Sequence, residues 1–167
     1  MSMIGNVMRI SEAQLALYKE TPELIEEKVF DEENYEADWF LDLDKAWEGV
    51  HYIIARRSLM ESDDEPDVLV RALFSCQLVD EQQDLGYGPV NYLTAQQVKE
   101  TNEELQKISE EEAKSRLNLK DMAKKKVYPG IWEEEDAADY VMEYFIELKE
   151  FYQTAADNNE AILFFLS

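Results

Sequence analysis

The stretch from Ala137 to Leu166 constrains the fold more than any other part of the chain. Ala137, Val141, Tyr144, Phe145, Leu148, Phe151, Tyr152 and Ala155 recur with helical period, which predicts one long, well-buried helix. Asn158-Asn159 interrupts that stripe, and Ala161-Ile162-Leu163-Phe164-Phe165-Leu166 follows it. Six successive apolar residues have no polar face, so the run predicts a central strand in a sheet covered on both sides.

The rest of the chain supplies further elements. Gly5 to Ile10 reads as a strand, and Ser11-Glu12-Ala13-Gln14 is a capping box that opens a helix through Leu15 and Tyr18. Thr21-Pro22 starts a second helix through Leu24, Ile25 and Val29, with Asp31 to Tyr35 as its end and a loop. Leu43, Ala46, Trp47, Val50, Ile53 and Ile54 lie on one helical face, with Asp42 or Asp44 capping its start and Arg56-Arg57 complementing its C-terminal dipole. Glu61 to Pro66 is a solvated loop, Asp67 to Leu73 has helical character, and Leu73 to Val79 mixes strand and helix signals. Gly86-Tyr87-Gly88-Pro89 is a turn that needs a positive φ at a glycine, Val90 to Leu93 is a strand, and Thr94 to Gln97 is a capping box. Ser109 caps another helix with Glu110, Glu111 and Glu112 in its first turn, and Asn118 ends it. With no repeat or linker in view, these elements predict a single compact α+β domain over 1–167. It is helix-rich, with a small mixed sheet that includes the N-terminal and C-terminal strands.

Charge restricts function more than it restricts fold. Over 167 residues, 38 Asp and Glu outnumber 16 Lys and Arg, for a net charge of -22. Hydrophobic residues at 46% and aromatics at 11% keep the chain out of the disordered class. Such a charge repels nucleic-acid phosphates and anionic membrane surfaces, leaving a basic protein as the partner that the composition favours. Between Lys99 and Lys126 eight basic residues face seven acidic ones, so the acidity lies elsewhere. Lys120 and Lys124 to Lys126 read as a solvated helix end or as partners for the acidic surface. The lone Cys76 sits in an apolar run and reads as a buried, inert thiol in a reducing compartment. No apolar window long enough to span a membrane and no signal peptide are visible, so a cytoplasmic protein is expected.

No nucleophile elbow, phosphate loop, dinucleotide fingerprint or Cys/His metal spacing is present, so no catalytic residue, metal or cofactor is assigned and the chain leans away from an enzyme. Asp42 and Asp44 do not share a helix face. A calcium loop from Asp31 to Asp42 fails because Glu36 stands where glycine is required. Asp63, Asp64, Glu65 and Asp67 have no spacing specific to a cation. His51, the single histidine, is read first as a structural residue hydrogen-bonded beneath a loop. One candidate pocket remains: Asp44, Trp47 and His51 on the first face, Gly86, Tyr87, Gly88 and Tyr92 in the glycine turn and its strand, and Tyr128 and Trp132 beyond. Aromatic residues on amphipathic faces serve as core in the simpler reading.

Several blocks carry a family resemblance. The opening Met1 to Asn6, Leu41-Asp42-Leu43-Asp44-Lys45-Ala46-Trp47 with His51 following, Leu85-Gly86-Tyr87-Gly88-Pro89 leading to Tyr92-Leu93-Thr94, and Tyr128-Pro129-Gly130-Ile131-Trp132 resemble the YfbM-like family of bacterial proteins of unknown function. The resemblance spans the chain and implies one α+β domain without supplying an activity. Members of the family often carry a second histidine at the position of Glu48 and often end the helix in Thr-Gly where Arg56-Arg57 stand here, which weakens any role built on a histidine pair. Three functions follow as expectations. The first is a binding module whose acidic surface engages a basic protein. The second is a small-molecule enzyme or ligand-binding domain around Trp47, His51, Tyr87 and Trp132. The third is a nucleic-acid mimic, which needs a continuous acidic stripe. Oligomeric state is left open.

Overall fold

The run Ala161–Leu166 is β4, and it lies between two neighbours in a four-stranded sheet of order β2-β1-β4-β3. β1 is Gly5–Ile10, β2 is Phe40–Asp42 and β3 is Asn91–Leu93. The computed structural model describes residues 2–62 and 65–167, so Asp63 and Asp64 of the acidic loop lie outside the described residues. Every pairing is antiparallel, with Val7 opposite Phe164 and Tyr92 opposite Leu163. The α+β class and the paired terminal strands agree with the sequence. The sheet is antiparallel throughout rather than mixed, because each of its short edge strands runs opposite to the central strand beside it.

Alternation along β4 splits the core in two. Ile162 and Phe164, with Val7 and Leu93, belong to a large cluster under helices α3 (Trp47–Ala55), α4 (Ala95–Gln106), α5 (Glu110–Arg116), α6 (Leu119–Lys124) and α7 (Ala137–Asp157). Ala161, Leu163 and Phe165 turn to the other face, against Leu15 and Tyr18 of α1 (Glu12–Glu20), Ile25 and Val29 of α2 (Glu23–Val29), and Val79, Leu85 and Val90 of the connecting loop. Both faces of β4 leave water, as its composition requires.

The capping boxes at Ser11 and Thr94 and the Ser109 cap form as their sequences predict. Four local differences have physical causes. The segment after α2 is a 3-10 turn, Glu32–Glu36, because the Asp31 carboxylate accepts from Glu33 N–H at 3.0 Å. The helical face from Leu43 begins as a 3-10 turn at Asp44–Ala46, with Asp44 at φ 46° and its N–H donated to Asp42. Asn118 does not merely end α5; it caps α6 by accepting from Asp121 N–H. Cys76 is exposed rather than buried, since its positive φ of 58° turns it out of the apolar run.

Two glycines let α3 pack closely, Gly5 where it meets the sheet and Gly49 where it meets α7 and Trp132. A Cβ on Gly5 would lie 2.6 Å from Trp47 Cβ, and a Cβ on Gly49 would lie 2.8 Å from Val141 and 2.9 Å from Trp132. Val141 and Trp132 are both buried, so neither has room to retreat. Gly49→Ala should therefore destabilise the protein by about 1–3 kcal/mol through overpacking, although alanine is the better helix former. Urea denaturation monitored by circular dichroism reads the effect; an unchanged or raised midpoint would show that α3 does not pack as closely as described.

Candidate functional site

The nine residues of the candidate pocket separate into two groups on opposite faces of the sheet. Asp44, Trp47, His51, Tyr128 and Trp132 lie on the α3 side: Trp47 and Trp132 are in the larger cluster, and Tyr128 packs against it. Tyr92 packs against the smaller cluster, and Gly86, Tyr87 and Gly88 sit between Leu85 and Val90 of that same cluster. The structure brings Trp47 and Tyr128 into a stack at 5.6 Å and places His51 edge-on to Phe74 at 5.7 Å. It does not bring the glycine turn to them.

Within the α3 group, the polar atoms serve the fold. Trp47 Nε1 donates to the Met3 carbonyl at 3.1 Å, and Met3 N–H donates to Tyr128 Oη at 2.9 Å, so two aromatic residues hold the chain leading into β1. Trp132 Nε1 donates to the Val127 carbonyl. Tyr140 Oη donates to Asp44 at 2.8 Å, tying α7 to the start of α3. Glu48, buried beside them, accepts from Tyr128 N–H at 2.8 Å; burial raises its pKa against the lowering by the Tyr128 and Leu59 N–H groups. Sequence reading missed Glu48 as a structural acceptor, because a glutamate on a helix gives no local sign of a distant amide.

The glycine turn has an internal anion of its own. Gly86 and Gly88 adopt φ of 114° and 105°, and both N–H groups donate to the Asp84 carboxylate, at 2.8 and 3.0 Å. Those bonds, Gly88's first, hold the Asp84 pKa below its ordinary value. Amides that would cradle a phosphate are thus occupied by a side chain four residues or fewer away. Tyr92 Oη accepts from Lys19 at 3.2 Å on the same face.

His51 is only 1% exposed, with Nε2 3.0 Å from Ser62 Oγ in the loop after α3 and no hydrogen-bond partner for Nδ1. Burial, aided by the nearby Arg57 charge, pulls its pKa down to about 4.

A separate feature gathers on α7. Asp139, Glu143, Glu147 and Glu150 are exposed along one side of the helix at spacings of three and four, and the exposed run Glu133 to Asp136 precedes them. Tyr140 and Tyr144, in edge contact at 5.2 Å, connect this row to Asp44 and Asp42. Burial raises the Tyr144 pKa and Asp44, Asp42, Glu147 and Glu143 add to it; Glu147 is raised by burial and then by Glu143 and Glu150. Lys and Arg form their ion pairs elsewhere: Lys125 with Glu61 and Asp121, Arg56 and Arg116 with Glu112, Arg71 with Glu100, Lys107 with Glu104. Among the described residues, no ion pair neutralises the α7 row.

Among the described residues, no group of three or more His, Cys, Asp or Glu side chains is placed to hold a metal ion, and no helix is long and apolar enough to cross a membrane. Residues 1–165 match a family described as a domain of unknown function, DUF1877. The crystal structure of YfbM from Escherichia coli, a protein of unknown function, is similar in fold, with a TM-score of 0.76 and 19% identity over 98% of this chain and 99% of that one. No curated protein matches.

The depressed His51 pKa has a measurable consequence. Between pH 6.5 and 4 the unfolded chain binds a proton at this residue that the folded chain refuses, so stability falls as pH drops through that window and levels off below it. The shift corresponds to about 3 kcal/mol. His51→Asn should remove that share of the acid dependence, read as the difference between variant and wild-type unfolding free energies across the window. Parallel curves for the two proteins would refute a neutral, buried imidazole.

Proposed function

Because this chain belongs to the DUF1877 family, to which no activity is attached, we propose from its own surface that it is a binding module whose α7 face engages a basic partner protein. One observation carries the reading: the exposed carboxylates Asp139, Glu143, Glu147 and Glu150 form a row along α7, continued by Glu133 to Asp136 and flanked by Asp42 and Asp44, with no ion pair to it among the described residues. Carboxylates four apart on one helix repel each other. A chain gains nothing in stability from such a row, whereas a cationic partner would relieve the repulsion and be steered toward it. Tyr140 and Tyr144 add amphipathic rings beside the charges, a composition suited to protein contact.

The reading is tested by Glu143→Gln/Glu147→Gln/Glu150→Gln. The triple variant should fold with a thermal midpoint no lower than wild type, since it loses only repulsion. Proteins retained from lysate on the wild type at low salt should be released as salt rises, and their association with the variant should be slower by on the order of tenfold. Equal retention by both proteins, or retention indifferent to salt, would remove the α7 face from the proposal.

A further inference from the structure

Among the described residues, α6 carries two neighbouring cations that no ion pair or hydrogen bond engages. Lys120 and Lys124 are exposed and lie one helical turn apart on the same side of the helix. Asp121, the carboxylate within α6, is taken by Lys125 at 2.9 Å and by the Tyr52 hydroxyl at 2.7 Å, and Lys124 acts on it only at longer range. On a chain with 38 Asp and Glu against 16 Lys and Arg, an unneutralised pair of lysines is unusual, and like charges at this spacing repel. The helix dipole accounts for Lys124, in the last turn, where a cation is stabilised. It opposes Lys120, in the first turn.

Leu119 and Ala123 form the adjoining row of α6, also one turn apart, and both are only partly buried against the larger cluster. With the two lysines, Trp132 and Glu133, they line an open groove of about 690 Å³, within the range of small-molecule sites. Trp132 is buried and its Nε1–H is committed to the Val127 carbonyl, so it offers the groove no free donor. The groove thus joins an apolar row to a cationic one, with Glu133 as the single carboxylate in its lining.

We propose that this groove binds a small organic anion with an apolar tail. The anionic head lies between the Lys120 and Lys124 ammonium groups and relieves their mutual repulsion. The tail lies along Leu119 and Ala123 toward Trp132 and takes the half-wetted row out of water. Carboxylates and phosphate monoesters share this chemistry, since an ammonium group is a point charge that serves either head. A bare inorganic anion lacks the tail, and an alcohol or amine with the same tail lacks the charge.

Titration followed by ¹H–¹⁵N spectra tests the site, read at the backbone amides from Leu119 to Lys124 and at the Trp132 indole N–H. Hexanoate and hexyl phosphate supply head and tail, acetate and inorganic phosphate the head alone, hexanol the tail alone, and hexylammonium the tail with the opposite charge. At least one of the first two should give saturable shifts at both reporters and bind on the order of tenfold more tightly than its tailless counterpart, with no saturable shift from hexanol or hexylammonium. Whichever of hexanoate and hexyl phosphate binds more tightly identifies the head. Lys120→Gln/Lys124→Gln changes exposed side chains only, so it should fold and should weaken binding by about tenfold. Lys120→Glu/Lys124→Glu should reverse the preference, from hexanoate to hexylammonium. Glu133→Gln, which removes the carboxylate from the lining, should tighten binding several-fold. No saturable shift with hexanoate or hexyl phosphate, equal affinity for these and their tailless counterparts, equal binding of hexanol, or affinity unchanged in the double glutamine variant would overturn the assignment.

Discussion

The rest of the molecule is arranged around β4, a strand that has no face to give to water. Its odd and even side chains go to different clusters, so the sheet needs cover on both sides. Five helices provide it on one face. On the other, two short helices and the loop through Val79, Leu85 and Val90 do so. β1 supplies six paired positions alongside β4 and tolerates the close approach of α3 because Gly5 has no side chain at the contact with Trp47. From that contact follow the placement of α3 and the clasp of Trp47 and Tyr128 on Met3.

The same two-sided sheet divides the residues that look functional in sequence. Trp47, His51, Tyr128 and Trp132 are on one side of it, and the loop holding Gly86, Tyr87 and Gly88 is on the other. Trp47, Tyr128 and Trp132 are engaged by backbone or by a neighbouring ring, Tyr92 is engaged by Lys19, and the glycine amides are taken by Asp84. Polar chemistry that still faces open space lies in the carboxylate row of α7.

How much was legible can be judged from particular residues. The α7 stripe, the β4 run, β1 and the boxes at Ser11 and Thr94 are written in consecutive side chains, because helical period, two-sided apolarity and caps are local properties. The acidity of the chain outside Lys99 to Lys126 was equally plain. β2, with three residues, carries no pattern long enough to read, and α6 follows α5 so closely that its cap at Asn118 resembles a terminator. Cys76 sits in an apolar run, but a positive φ decides its exposure, and that angle belongs to the loop as a whole.

Sequence alone therefore settled the class of fold, a helix-rich domain with its last strand at the centre of the sheet, since hydrophobic periodicity is local and burial follows from it. Tertiary structure alone decided which candidate residues meet. Arg9 and Glu160 are separated by nearly the whole chain, as are Met3 and Tyr128, and only the antiparallel pairing of β1 with β4 and the docking of α3 and α7 bring such pairs together. Contact between distant residues depends on strand register and helix packing, which are properties of the assembled core and have no counterpart in the spacing of neighbours along the chain.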